Sequence, residues 1–323
     1  MKPSKSIGIY PPLVFNVFKP AKITSYDVIR HFKRNLPPGF GKIGHFGTLD
    51  PFACGVLMIG ISGAARLNDF IHDLLPKTYL AVGKLGVETP TGDYTSEPSQ
   101  VDTSLYLTKE IARLPKTFLQ ERLREKFLGD YLQAPHKYSA AKFMGKNLHE
   151  WAREGVEVQK EEVLRKVHSI EVVKYQFPYL AVRVTVSSGT YVRSLFSDFA
   201  NDLGTLGSLV SLVRESVGPV TTRDALHRRD WPQDKASEIL GRALRVDSVL
   251  PFAKIVLDEK LTTKFKNGGF LKPSELTFAG PRSFGTDYFW ITDRADRLLG
   301  MGQQVSSEEI RPKINFHSEV QAS

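Results

Sequence analysis

Asp50 is the only acid in GKIGHFGTLDPFACGVL, residues 41–57. A carboxylate on a turn rich in Gly and Pro, followed directly by an apolar run, can serve as a nucleophile or stabilise a developing cation. No second carboxylate lies nearby to complete an acid/base pair. His45 and Cys54 flank it, but neither has a like partner at metal-ligand spacing. The eight histidines are scattered without an H-x-x-x-H pattern, and a single cysteine forbids a Cys pair or an intramolecular disulfide. No Gly-Lys-Ser/Thr follows the glycines, so the stretch is not a P-loop. Taken singly, each residue also has a structural reading. Asp50 before Pro51 makes an Asx-turn, His45 is a surface histidine, and Lys19 is a solvated lysine. Arg193 is a helix-surface arginine, and Tyr79 and Tyr191 are core aromatics.

The elements around these residues follow from periodicity. VFNVF (14–18) reads as a short strand that ends at Lys19-Pro20. ITSYDVIRHFKRNLPP reads as a helix, with Thr24 or Ser25 as N-cap and a Thr24/Asp27 capping box. Val28, Ile29 and Phe32 share one helical face, and Pro37 and Pro38 stop it. GVLMIGIS predicts a buried strand, Ala64 to Ile71 a short helix, KTYLAVGKLG a strand, and ETPTGDYTSEPSQ a turn-rich loop. Residues 108–128 predict one helix that buries Phe118, Leu119, Leu123 and Phe127. GDYLQAPHKYSAAK reads as a polar loop leading to a helix, NLHEWAREG, capped by Gly155. YLAVRVTV (179–186) predicts a strand with Val182, Val184 and Val186 on one face. SSGT breaks it, and YVRSLFSDFANDLG predicts a helix ending at Gly204. From about Val246, short strands and turns predict a small β-rich appendage.

Composition narrows the class. The 323 residues are 41% hydrophobic and 24% charged, ordinary for a globular chain. The formal charge of +9 suits a polyanionic partner such as nucleic acid, or an anionic membrane surface. The longest apolar run, Phe52 to Ala65, is too short for the roughly 20 residues a bilayer span needs. With one cysteine and no apolar leader segment in MKPSKSIGIYPP, the expected location is the cytoplasm.

In order along the chain, "IGHFGTLDPFACGVL", "KTYLAVGKLG", "YSAAKFMGKNLHEWAREG" and "SSGTYVRSLFSDFANDLG" resemble the TruB family of pseudouridine synthases. The Lys19-Pro20 strand end and "LVSLVRESVG" fit the same pattern, and the resemblance covers residues 13 to 220. It implies an α+β fold: a largely antiparallel sheet flanked by helices over 1–248, and a small β-rich, PUA-like RNA-binding module over 249–323. It implies isomerisation of uridine-55 in the T-loop of tRNA to pseudouridine, by base flipping, without metal, nucleotide or redox cofactor, by a monomer. Residue by residue, it implies Asp50 as nucleophile, attacking the ribose or stabilising charge at its anomeric carbon. Arg193 would be its cationic partner, and Tyr79 would stack on the base and accept a proton. His45 would support the flipped conformation, Leu212 would line the base pocket, and Lys19 would order the loop. If Gly189–Arg193 is extended, Tyr191 and Arg193 face the same way, by period two. Phe46, Phe52, Cys54 and Pro90 depart from the family pattern. Two rivals make different predictions. An RNA-binding protein that kept only the scaffold would not need an intact Asp50, Tyr79 and Arg193. A guide-RNA-dependent synthase would carry long Lys-rich tails, which this chain lacks.

Overall fold

The computed structural model of the chain describes residues 10–134, 142–143, 146–147, 151, 161–279 and 286–316. Ten strands form one sheet. Its order is Leu244–Arg245, Leu13–Lys19, Cys54–Ile61, Gly207–Val217, Lys77–Leu85, Tyr179–Val186, Val163–Gln176 and Gly129–Gln133. Ile43–His45 pairs with Cys54–Ile61, and Val220–Thr221 pairs with Gly207–Val217. Every pairing is antiparallel except that of Gly207–Val217 with Cys54–Ile61. The α+β reading with a largely antiparallel sheet therefore holds.

Alternation decides which face is buried. Val182, Val184 and Val186 point to one side and are buried. They share a core with Leu119, Leu123 and Phe127 of the helix Lys116–Phe127, and with Leu195, Phe196 and Phe199 of the helix Val192–Asp202. On the opposite face Arg183 pairs with Glu215 at 2.8 Å and reaches Glu171 at 3.7 Å, a cross-strand charge set suited to water. The first helix, Ser25–Asn35, has the expected capping box between Thr24 and Asp27. Its Val28, Ile29 and Phe32 pack on Phe15, Val17, Leu57 and Trp231.

Four expectations are corrected. The single helix over 108–128 is divided into Leu105–Lys109, a 3-10 turn at Ile111–Arg113, and Lys116–Phe127. Pro115 sits at the N-cap of the last piece, where a missing N–H costs nothing. Phe118 is exposed rather than buried, because Leu119, Leu123 and Phe127 already fill the buried stripe at spacing four. The helix expected over 64–71 is a 3-10 segment, Ser62–Leu67, running into Asn68–Leu74. The start of the polar loop GDYLQAPHKYSAAK is the edge strand Gly129–Gln133. The stretch YSAAKFMGKNLHEWAREG, with its Gly155-capped helix, lies almost wholly outside the described residues.

A second sheet orders Thr277–Ala279, Ala253–Leu257, Tyr288–Asp293, Leu298–Ser306 and Glu309–Asn315. The helix Glu259–Lys266, capped by Asp258, packs Phe265 under it; periodicity had not singled this helix out. The two sheets share a core in which Trp290, Met301, Ile314 and Phe316 meet Val14, Phe46 and Met58. Arg66 extends this contact by donating to the Asn315 carbonyl at 2.5 Å and lying over the Phe316 ring. No helix among the described residues is long and apolar enough to cross a membrane.

Candidate active site

The Asp50 turn is held from below by groups that do not themselves point at a reactant. Ser25, at the start of the first helix, accepts from the Leu49 amide at 2.9 Å and donates to the Leu49 carbonyl at 3.2 Å. Lys19 is fully buried and donates to the carbonyls of Pro20 (3.0 Å), Ile23 (2.7 Å) and Pro51 (3.4 Å). It is thus a tie between two chain segments and not a solvated lysine. Arg214, also buried, donates to the carbonyls of Val56 (2.7 Å), Gly47 (3.0 Å) and Thr48 (3.4 Å). Gly55 lets the Arg214 backbone approach: at its φ of +112° an added Cβ would lie 2.2 Å from the Arg214 carbonyl oxygen. Two of the departures from the family pattern, Phe46 and Phe52, are packed, whereas Pro90 is exposed. The Phe46 ring covers Gly60, and buried Phe52 meets Tyr94 edge to face.

Above the turn lies a cavity of about 240 Å³. Asp50, Tyr79, Tyr191, Arg193 and Leu212 all line it; His45 and Lys19 do not. Tyr79 comes from the strand Lys77–Leu85, and Leu212 from its neighbour Gly207–Val217. His45 ends the short strand Ile43–His45 opposite Ile59.

Arg193 meets both Asp50 oxygens, through one hydrogen bond and one close ion contact. Its Nε lies 3.0 Å from Oδ2, and one terminal nitrogen donates to Oδ1 at 3.3 Å. Its other terminal nitrogen donates to the Thr91 carbonyl at 2.5 Å and lies 3.6 Å from Asp93 Oδ2. This side-on fork needs a guanidinium; an ammonium could not match both oxygens. The period-two argument for Tyr191 and Arg193 does not hold. Tyr191 is extended (φ −90°, ψ 105°), but Arg193 already sits in the first turn of Val192–Asp202. Both line the cavity because the helix starts at its wall.

The electrostatics separate the aimed group from its supports. Burial pushes the Asp50 carboxyl above the usual carboxylate range; the Arg193 guanidinium pulls it back without cancelling the rise, and Asp93 adds to it. The side chain keeps 34% of its surface exposed, and that surface faces the cavity. Burial lowers Lys19 to about 8, and it lowers the His45 imidazole with help from Arg214. Lys77, on the cavity wall, is lowered to about 8 by burial and by Arg214, and it donates to the His72 carbonyl at 2.5 Å and to Ser188.

Arg214, Asp93 and Lys77 were missed in the sequence. For Arg214 a signal was present: it lies two residues beyond Leu212 in a strand, so the two share a face, and a charge in the run LVSLVRESV breaks its apolar pattern. Asp93 gave no comparable signal in a turn-rich loop. Among the described residues no group of three His, Cys, Asp or Glu side chains is placed to hold a metal.

The arrangement is an anchored carboxylate, held by Arg193, opening into a cavity lined by Tyr79, Tyr191 and Leu212 together with the cations Lys77 and Arg214. Comparison with known proteins gives it a lineage. The model of the N-terminal domain of TruB family pseudouridylate synthases matches residues 33–192. A tRNA pseudouridine synthase B of Clostridium tetani is 33% identical over 292 residues, covering 90% of this chain and 95% of that one. One from Burkholderia mallei is 36% identical over 288 residues, covering 88% and 90%. Among solved structures, a chain of a Cbf5-Nop10-Gar1 complex superposes with a TM-score of 0.67 over 94% of this chain and 84% of that one, at 22% identity, a likeness of fold. The chain belongs to the TruB family of pseudouridine synthases.

Proposed function

We propose that the protein isomerises uridine-55 in the T-loop of tRNA to pseudouridine. The observation that carries this reading is the Asp50–Arg193 fork opening into a cavity lined by Tyr79, Tyr191 and Leu212. The curated relatives' names support tRNA as the substrate. A base buried in the folded loop must be flipped out to reach a cavity of this size. Asp50, ionised and aimed, attacks the ribose or stabilises charge at its anomeric carbon while the N-glycosidic bond breaks. The base, still held between the tyrosine and Leu212 walls, rotates; its carbon bonds to the anomeric carbon as the bond or charge at Asp50 is released, the hydrogen on that carbon leaves as a proton, and the nitrogen freed by the first cleavage takes one up. Tyr79 stacks on the base and accepts a proton in the sugar step. Tyr191 contacts the base or sugar from the adjacent wall. His45, behind the wall, supports the flipped conformation, and Lys19 orders the turn through its three carbonyl bonds. The reaction as written uses no cofactor. Residues 1–248 form the catalytic domain and 249–323 a PUA-like RNA-binding module, in a monomer that works in the cytoplasm on the T-arm.

The deciding experiment is incubation of purified protein with an unmodified T-arm hairpin, followed by pseudouridine mapping at single-nucleotide resolution. Conversion at the position equivalent to 55 supports the reading; conversion elsewhere only, or none, refutes it. Binding of the same hairpin should weaken steeply with salt, because a chain of formal charge +9 displaces counterions from phosphate. A log–log slope of about −3 or steeper is expected, at roughly −0.7 to −0.9 per phosphate neutralised. A flat titration removes the electrostatic part of the reading.

A further inference from the structure

Gln133 ends the edge strand Gly129–Gln133 and is buried, far in sequence from the residues that line the cavity. Its side-chain amide meets the main chain of Tyr191 at two points. Nε2 donates to the Tyr191 carbonyl at 2.9 Å, and Oε1 accepts from the Tyr191 amide at 2.8 Å. This is the exchange a neighbouring strand would make, supplied by one side chain at the residue where the chain enters the Val192–Asp202 helix. Two residues on, Arg193 grips Asp50.

The orientation of the amide is itself fixed. Tyr131, two residues back on the same strand, donates its hydroxyl to Asp198 and accepts from Gln133 Nε2 at 3.3 Å. Asp198 lies in the same helix as Arg193. The hydrogen bonds therefore run one way, from the Gln133 amide nitrogen to the Tyr131 hydroxyl and from there to the Asp198 carboxylate, which leaves Oε1 for the Tyr191 amide. A primary amide supplies the donor and the acceptor on separate atoms at this reach, and Asn would fall one methylene short.

We propose that Gln133 is a positioning residue: its two-point clamp on the Tyr191 main chain sets the start of the Val192–Asp202 helix, and so the aim of Arg193 on Asp50 and of the Tyr191 ring into the cavity. Gln133 touches no reactant. This rests on the isomerase reading above. A misplacement of about 1 Å at such a grip costs about a hundredfold in rate.

The test is Gln133→Met, which keeps length and bulk and removes both hydrogen bonds. Single-turnover pseudouridine formation, hairpin affinity and thermal melting are measured for wild type, Gln133→Met, Arg193→Lys and the double variant. A loss of about tenfold to a hundredfold in rate is expected, with affinity within about twofold of wild type. In the Arg193→Lys background the same substitution should change the rate by less than about threefold, because the fork it aims is already gone. A merely structural role would lower both backgrounds by the same factor, and that result overturns the proposal, as does a Gln133→Met rate within twofold of wild type. Should Gln133→Met fail to fold, Gln133→Asn decides by the same readouts, since it keeps the amide but falls one methylene short of the Tyr191 main chain. Wild-type protein that makes no product fails the isomerase reading itself; wild-type turnover beside an unchanged variant fails only the Gln133 assignment.

Discussion

Two aspartates meet two sets of basic groups in this molecule, and burial acts on them with opposite results. Asp247, at the junction of the two sheets, lies 2.8 Å from Arg245 and 2.7 Å from Lys254, and both cations also reach Asp296. Burial pushes its carboxyl up, but the hydrogen bonds from Arg245 and Lys254 outweigh burial and hold it below the ordinary range. At Asp50 burial wins over Arg193, and the carboxyl rises. Asp247 faces two cations that spend themselves on it and on Asp296. Arg193 divides itself among Asp50, Asp93 and the Thr91 carbonyl. The first arrangement is what an ion pair that stabilises a fold looks like. The second leaves a carboxylate under-compensated at the wall of a cavity, which is how an activated group is held and not how a stable pair is made.

That contrast can be broken at several points. The largest effect expected among the supports is at Arg193. Arg193→Lys keeps the charge and loses the side-on fork, so the rate of pseudouridine formation should fall by about a hundredfold or more while the protein stays folded. Near-normal turnover would mean the two-point grip is not needed. At the other aspartate the expected loss is in stability. Asp247→Asn should cost about 2 kcal/mol, reduced from a fully buried pair because Arg245 and Lys254 are partly exposed, and should leave the rate of the folded enzyme unchanged. Chemical denaturation and single-turnover kinetics on the same sample check both halves.

The pH dependences should also separate. The folded-state pKa of Asp247 is depressed, so its stabilisation is complete above the unfolded value of about 3.9 and is lost as pH falls through the lower folded value. The folded-state pKa of Asp50 is raised, so the charged form of the proposed nucleophile disappears first, as pH falls through a value above the unfolded one. Protonation of Asp50 in that window stabilises the fold slightly. Activity should therefore fall on acidification before the melting temperature does. A rate that falls only together with unfolding would contradict the assignment of the two carboxyls.

How much of this was readable in the sequence follows from where the contacts lie. Asp50, Tyr79, Arg193 and Leu212 were singled out through motifs that resemble the TruB family's, and the structure brings all four to one cavity. The strand and helix around them follow from alternation and from the Thr24/Asp27 cap, which are local. Arg214 and Asp93 escaped because their work is long-range: Arg214 donates to Gly47 across 167 residues of chain. Tyr191 and Arg193 line one cavity although they do not share an extended strand, since a helix N-terminus and an extended strand both allow GTYVR. The division of the 108–128 segment turned on Pro115, which a hydrophobic period alone does not weigh.

The most direct measurement is on Asp50→Asn, with single-turnover pseudouridine formation, hairpin affinity and thermal melting read on one preparation. Asn keeps the shape and can still form the turn, and loss of a turn hydrogen bond is worth only about 1 kcal/mol. Loss of a nucleophile costs about 10⁴-fold or more in rate. The protein should fold at least as stably as wild type, bind the hairpin with similar affinity, and form no detectable product. Product formation within about tenfold of the wild-type rate would make Asp50 a turn residue and remove the centre of the proposed mechanism.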